Sequence, residues 1–381
     1  MQEEQIKKRN KMMVPKLFPT DMASILARLE SVDPVSYAET RNFTDGRVSR
    51  LSPYISRGVI SLKKVAEQVV RRHPITTCST FLKELAWREY WQRVWENRGD
   101  EIFSDLKYQQ TNVRHRDMPS SILNGNTGIR VIDQSITELK ETGYMHNHVR
   151  MYLASLACNR GGAHWKVPAS WMYYHLLDGD IASNTLSWQW VAGTFSSKQY
   201  WCNQDNINHY TKTIQHNSIL DMPYDRLVLA PVPEELTTVE ALNLSVQLPS
   251  SDPLPDQAER IFLYTSYNLD PVWHAGKEGT RILLLEPAHF NRFPVSRLVM
   301  SFILSLAENI PGLLVFCGSF DELAKRFPGA EFIFRKHASC THYRGTSEDP
   351  EYLFPEVYGY FPSFSSYWKK AGILVDKIKH E

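Results

Sequence analysis

Cysteine is scarce and unpaired in this sequence. Its five residues, Cys78, Cys158, Cys202, Cys317 and Cys340, are scattered and never form a C-x-x-C pair. An odd, dispersed set excludes a disulfide framework and a zinc ribbon, and fits a reducing compartment. Long apolar runs are missing as well: nothing approaches the roughly eighteen apolar residues in a row that signal a membrane-spanning helix. The opening MQEEQIKKRNKMM lacks the apolar segment of a secretory signal. These absences predict a soluble, cytoplasmic protein with no membrane partner. Net charge is also nearly absent, at +1, so the chain as a whole exerts no pull on a polyanion. Its distribution is uneven, however. Residues 1–214 hold 28 Lys and Arg against 21 Asp and Glu, whereas residues 215–381 hold 15 against 21. A basic first half points to an anionic ligand there.

What is present is globular. Hydrophobic residues at 43% and charged residues at 22% exclude a largely disordered chain. A length of 381 residues allows two or three domains, each with its own core. Aromatics reach 12%, with ten Trp, enough to suggest a stacked ligand or a moving electron, although a large helical core would use them too. Residues 1–214 read as consecutive helices. Leu62, Val65, Ala66, Val69 and Val70 recur at helical spacing after the candidate cap Ser61 and before Pro74. Further helices are expected near Thr80–Asn97, Gly128–Glu141, Met145–Arg160 and Ala169–Leu177. Residues 215–256 are rich in proline and read as a linker. Beyond them, Ile261–Thr265, Arg281–Leu285, Leu313–Cys317 and Glu331–Phe334 are short apolar runs of buried-strand type. Helical segments at Val295–Glu308 and Phe320–Phe327 alternate with them. That alternation predicts a small α/β domain with a parallel sheet over 257–381, able to fold alone.

Three constellations could carry chemistry. In Ser49-Arg50-Leu51-Ser52-Pro53, Ser52 before Pro53 starts a helix, with the hydroxyl as cap; such an N-terminus also suits a phosphate, and a plain cap is the alternative. In Phe81-Leu-Lys-Glu84-Leu-Ala-Trp87-Arg88-Glu-Tyr-Trp91-Gln-Arg-Val-Trp95, the residues Glu84, Trp87, Arg88, Trp91 and Trp95 share a helical face. That face could wall a flat ligand, or it could be an aromatic core stripe with an ion pair. Finally, Asn147, Arg150 and Met151 share a face, followed by Trp165 and by Asp178-Gly-Asp180-Ile-Ala-Ser183-Asn184-Thr-Leu-Ser-Trp188-Gln-Trp190. The Asp-Gly-Asp turn could hold a metal, but no other ligand spacing supports one, so no metal is expected. His146 and His148 read as ordinary helix histidines.

At these residues the chain resembles the FAD-binding domain of the photolyase/cryptochrome family over about residues 30–200. Several blocks occur in family order: Tyr37-xxx-Arg41, SRLSPY, KELAWREYW, TGYMHNHVRM and LLDGDIASNTLSWQW. The resemblance implies an all-helical domain holding FAD. It puts Tyr37, Ser49, Arg50, Leu51 and Ser52 on the pyrophosphate, and Phe81 and Arg88 beside the cofactor. Arg150 paired with Asp178 would lie alongside the isoalloxazine, Asp180 near the ribityl chain, and Asn184 opposite the flavin N5. Family enzymes hold a flipped-out pyrimidine dimer over the flavin. The positions that contact it correspond to Glu84, Trp87, Asn147, Met151 and Trp190, all of the cyclobutane-dimer type, with Arg41 on the same substrate side. Trp188 and Trp165 correspond to the inner and middle members of the family's electron relay.

The departures are informative. His148 replaces an Arg that contacts DNA phosphate, Val48 a Thr, and the segment Tyr200–Asn206 lacks a phosphate-binding Arg; each loss should weaken DNA binding. The outermost relay position falls near Asn112; Tyr108 is the nearest substitute, one helical turn before it if that segment is helical, and Trp171 and Trp201 are others, so light-driven flavin reduction is expected to be inefficient. Relatives begin with an α/β antenna domain, whereas here the antenna-like pattern sits at the other end. The expected organisation is therefore a helical FAD-binding domain over 1–214, a linker over 215–256 and a small parallel-sheet α/β domain over 257–381. No second antenna chromophore is identified. The leading expectation is a monomeric enzyme for light-driven repair of cyclobutane pyrimidine dimers in DNA. The alternatives are a cryptochrome-like blue-light or redox sensor with a protein partner, and a flavoprotein whose site has decayed.

Overall fold

A computed structural model of the protein describes residues 15–378. Packing divides the chain into two units. A mixed unit holds the described residues 15–32, 49–89 and 245–378; a helical unit holds 33–48 and 90–244.

In the mixed unit the four expected apolar runs form strands. These are β1 (Arg260–Tyr264), β2 (Thr280–Leu285), β3 (Leu313–Cys317) and β4 (Glu331–Arg335), with a short fifth strand, β5 (Thr346–Glu348). The sheet is parallel throughout, in the order β3-β2-β1-β4-β5. Its direction of winding reverses between β1 and β4, the switch point where such sheets open a crevice. Here that crevice is a cavity of about 20 Å³ lined by Thr265, Glu286, His289, Cys340 and Tyr343, among others. A void of that size has room for a water. β5 reads Thr-Ser-Glu, too short and polar to stand out in the sequence.

Helix Phe320–Arg326 buries Phe320 and Leu323 in a core with Ile261, Leu263, Phe332 and Phe334. Helix Arg297–Ala307, capped by Ser296, has eight of its eleven residues buried. A helix that is apolar nearly all round must be covered on all sides, and part of its cover comes from the start of the chain. Phe302 packs 6.1 Å from the ring of Tyr54, and just past the helix the Asn309 amide donates to the Thr20 carbonyl at 2.7 Å. Gly58 shows the same closeness: with φ at +63°, a Cβ there would lie 2.2 Å from the Tyr267 carbonyl oxygen. The sheet therefore packs with residues 15–32 and 49–89, so the linear division into 1–214, 215–256 and 257–381 does not coincide with the packing. Helix Leu62–Arg72 forms as its pattern predicts, with Ser61 accepting from the Lys64 N–H at 3.1 Å and Val65, Ala66 and Val69 buried.

The helical unit centres on Arg130–Thr142, Asn147–Ala154, Lys166–His175 and Ile181–Ala192. The expected helix Met145–Arg160 is split: after Ala154 it widens into a π-helix, Ser155–Arg160. Residues 215–244 are a clasp and not a linker. Leu220, Leu227 and Leu236 enter the same core as Trp165 and Trp188, and the Arg160 guanidinium donates to the Ala230 and Pro231 carbonyls. Val239–Glu240 pairs antiparallel with Met118–Pro119. Prolines stop helices in this stretch, but they do not stop its leucines from being buried.

Candidate functional site

In the helical unit, Asn147 opens the helix Asn147–Ala154 and shares one face with Arg150 and Met151. Asn147 is exposed and Met151 packs partly against the core. Arg150 is held at two points, donating through Nε to the Met145 carbonyl at 2.8 Å and through a terminal nitrogen to Asp178 Oδ2 at 2.9 Å. The Asp178 side chain is only 6% exposed and that of Arg150 20%, so the carboxylate anchors a cation that still offers an edge. The turn that follows requires glycine, because a Cβ on Gly179 would sit 2.9 Å from the Leu176 carbonyl oxygen.

Asp180 caps the helix Ile181–Ala192, accepting from the Ser183 N–H at 2.7 Å and, through its other oxygen, from the Gln92 amide. Both carboxylate oxygens thus fix the start of the helix that carries Asn184, Trp188 and Trp190. Asn184 donates to the Ala169 carbonyl at 2.9 Å. Trp190 is half-buried, with Tyr200 stacked 5.8 Å away. Arg150, anchored by a buried carboxylate, and the Asn184 amide on helix Ile181–Ala192 are polar groups of the kind that would suit a flavin ring.

Arg41 and Tyr37 also belong to this unit, on and just after helix Pro34–Thr40. Arg41 acts on His148: burial first, and then that guanidinium, push the imidazole down to about 4. His148 lies between the rings of Tyr152 and Tyr210, at 5.0 and 4.5 Å. At neutral pH it carries no charge to offer a phosphate.

Trp188 and Trp165 are both buried, 2% and 1% exposed, in one core cluster. The expected substitute beyond them is not placed as the sequence suggests. Residues 108–112 are not helical; Tyr108 is 51% exposed, and Asn112 has φ at +58°. Asn tolerates that left-handed conformation, whereas a bulky Trp there would be strained. Instead, the Trp165 indole N–H donates to Asp105 Oδ1 at 2.8 Å. Sequence reasoning missed this pair, since 60 residues separate its members and no local pattern marks it.

In the mixed unit, Leu51 precedes the short helix Ser52–Ser56 with no side-chain cap. The expected hydroxyl cap by Ser52 is therefore not made: Ser52 lies inside the first turn, with Pro53 after it as anticipated. The hydroxyl that engages the turn is that of Ser49, which accepts from the Leu51 N–H at 3.4 Å. Arg50 is exposed, with φ at +51°, and Leu51 is fully buried. Phe81, Glu84, Trp87 and Arg88 lie on helix Ile75–Arg98; Phe81 is buried and the other three are half-buried. Trp91 and Trp95, expected on the same face, take the core alternative: they pack edge-on to Phe195 and Phe103 in the helical unit. Trp87 differs, because Phe364 stacks on it. The neighbouring Glu89 is 1% exposed and accepts from the N–H groups of Leu353 and Phe354 and from the Tyr367 hydroxyl.

Residues 81–218 match the family described as the FAD binding domain of DNA photolyase. A deoxyribodipyrimidine photo-lyase of Streptomyces griseus is 33% identical over 147 residues, covering 38% of this chain and 32% of that protein. One of Thermus thermophilus is 33% identical over 180 residues, 45% of this chain and 41% of that protein. Cryptochrome DASH of Synechocystis is 31% identical over 170 residues, 41% and 34% of the two chains. The matched stretch thus spans about a third to two fifths of these curated relatives. Among solved structures, a Synechocystis cryptochrome overlaps 52% of this chain and 46% of its own, at 25% identity and a TM-score of 0.46. An archaeal photolyase from Sulfolobus tokodaii with two FAD molecules overlaps 48% and 42%, at 24% and 0.40.

Over the matched stretch the chain is similar to photolyases and DASH cryptochromes, and residues 81–218 match the FAD-binding domain of DNA photolyase.

Proposed function

We propose that this protein repairs cyclobutane pyrimidine dimers in DNA by light-driven electron transfer from reduced FAD. The observation that carries the reading is the buried Arg150–Asp178 pair, fixed at 2.9 Å within the segment that matches a photolyase FAD-binding domain. Relatives named as deoxyribodipyrimidine photo-lyases support it. When bound, FAD would supply the photoexcited electron that opens the cyclobutane ring. The protein's own residues bind and orient. In the helical unit, Arg150 and Asn184 would hold the isoalloxazine ring, with Asp178 and Asp180 fixing their positions. Asn147, Met151 and Trp190 would meet the flipped bases, and Arg41 the strand. In the mixed unit, Ser49, Arg50, Leu51 and Ser52 would take the pyrophosphate, Phe81 and Arg88 would flank the cofactor, and Trp87 would offer a ring for stacking. Glu84 would donate a hydrogen bond to the dimer in its protonated form, which a dry pocket favours.

A second reading, a blue-light sensor without repair activity, is favoured by two observations. Phe364 covers one face of Trp87, and His148 is neutral where a phosphate-binding cation would serve. Incubating the purified protein with dimer-containing single- and double-stranded DNA, flavin reduced, in blue light and in darkness, separates the two. Light-dependent loss of dimers supports repair. Intact dimers with a reversible light-induced change in the flavin spectrum support sensing.

A further inference from the structure

We propose that Asp105 is the proton acceptor that ends charge migration at Trp165. This rests on the reading of Trp188 and Trp165 as an electron relay. The geometry is built for a proton. Trp165 Nε1 donates to Asp105 Oδ1 at 2.8 Å, within the range of a charge-assisted bond. Asp105 Oδ2 accepts from the Gln110 N–H at 2.9 Å. Gln110, 5% exposed, clamps the other partner: its Oε1 accepts from the Trp165 backbone N–H at 3.0 Å, and its Nε2 donates to the Ala163 carbonyl at 2.8 Å. One glutamine therefore fixes the carboxylate and the indole against each other.

His164 supplies the third donor. The Lys166 N–H points at its Nδ1, at 3.3 Å, so that nitrogen carries the lone pair and the neutral ring holds its proton on Nε2. Nε2 lies 3.3 Å from Asp105 Oδ1. Burial, the largest influence on His164, pulls its pKa below the usual histidine value. The imidazole thus orients the carboxylate as a neutral donor.

The chemistry follows from burial. Once oxidised by a flavin bound in the site, Trp188 would take one electron from Trp165, which lies in the same core cluster. Trp165 then becomes a radical cation in a site only 1% exposed, beside the Asp105 carboxylate, and moving the proton between them removes both charges from a poorly solvated site. Its Nε1–H bond breaks, the electron pair stays on nitrogen, and the proton moves to Asp105 Oδ1. The products are a neutral indolyl radical and a neutral carboxylic acid, with the hydrogen bond reversed in direction. The Asp105 side chain is 20% exposed, so it can pass the proton on to water. Charge return then requires the proton to come back, which lengthens the separation without a third aromatic carrier.

Laser-flash absorption of the FAD-loaded protein, resolving the cation and neutral forms of the tryptophan radical, tests this. Wild type should give the neutral radical, more slowly in D2O. Asp105→Asn keeps an oxygen to accept the indole hydrogen bond but cannot take the proton. It should slow radical deprotonation by about a hundredfold, in line with the usual contribution of a positioned base, and leave the cation to recombine. A neutral radical formed at the wild-type rate in Asp105→Asn overturns the proposal. Trp165→Phe checks the underlying reading: it should abolish the long-lived radical, and a surviving radical overturns both relay and proposal. A readout without flavin is the indole N–H resonance of 15N-Trp-labelled wild type, expected to shift as Asp105 titrates. If no indole resonance follows a carboxylate, the proposal falls, even if Asp105→Asn cannot be purified.

Discussion

The ring of Phe364 lies flat on the indole of Trp87, with centroids 3.7 Å apart and planes 8° from parallel. Phe364 is 6% exposed, and Trp368 stacks on it in turn at 5.9 Å and 16°. One face of the residue proposed to stack on a flipped base is therefore already taken by the protein's own chain. If a base uses that face, it must displace Phe364, losing a stacking interaction of about 0.5–1.5 kcal/mol. Phe364→Ala should then bind dimer-containing DNA roughly two- to tenfold more tightly, while Tm falls because about 3–5 kcal/mol of packing is lost. Titration well below the lowered Tm reads the affinity. An unchanged or weaker affinity in the folded variant would mean that no base stacks on that face.

Residues 257–381 should not fold alone, contrary to what their strand–helix alternation suggests. Glu89 holds the Leu353 and Phe354 N–H groups and the Tyr367 hydroxyl, and Trp87 and Tyr54 cover Phe364 and Phe302. All three of these partners precede the fragment. The isolated fragment should show exposed apolar surface and lack a cooperative thermal transition. A sharp transition would show that residues 15–32 and 49–89 are dispensable.

Arg150→Ala or Asp178→Ala should release FAD. Each leaves an ionic partner unmatched, at a cost of up to about 3–5 kcal/mol for a fully buried pair, and less here because the Arg150 side chain is 20% exposed. The ratio of flavin to protein absorbance after gel filtration measures it. Full retention in both variants would contradict the assigned pocket.

Acid should weaken the fold before the ordinary carboxylates titrate. His148 and His175 are pushed from 6.5 down to about 4, and His289 to about 3, in each case mainly by burial. Over that window the unfolded chain binds protons that the folded chain refuses, so stability is lost as pH falls from 6.5 towards 4. Tm should therefore drop between about pH 7 and pH 5, still above the usual carboxylate value of about 4. His175→Phe should flatten that drop. A constant or rising Tm across the interval would show that these rings protonate freely in the folded protein.

Much of this was legible in the sequence because it is local. Ser61 as cap and four of the five strands of the parallel sheet follow from spacing over a few residues. The Arg150–Asp178 pair was reachable through the family blocks that surround it. The rest depends on contacts remote in sequence. Nothing near Glu89 indicates that it serves residues 353, 354 and 367, and nothing in a proline-rich stretch shows that Leu220, Leu227 and Leu236 are core. The Phe364–Trp87 stack and the Asp105–Trp165 bond are of the same kind. The helical period over residues 81–95 could not separate Trp91 and Trp95, which are core, from Trp87, which meets Phe364.

The central claim is repair, and dimer loss under blue light with chemically reduced flavin tests it most directly. Wild type and Trp188→Phe should both remove dimers in light and not in darkness, since the tryptophan relay serves reduction of the flavin and not dimer splitting. Glu84→Ala should split dimers more slowly than wild type at saturating DNA. Dimers that persist under light in wild type, with FAD bound and fully reduced, would contradict the account.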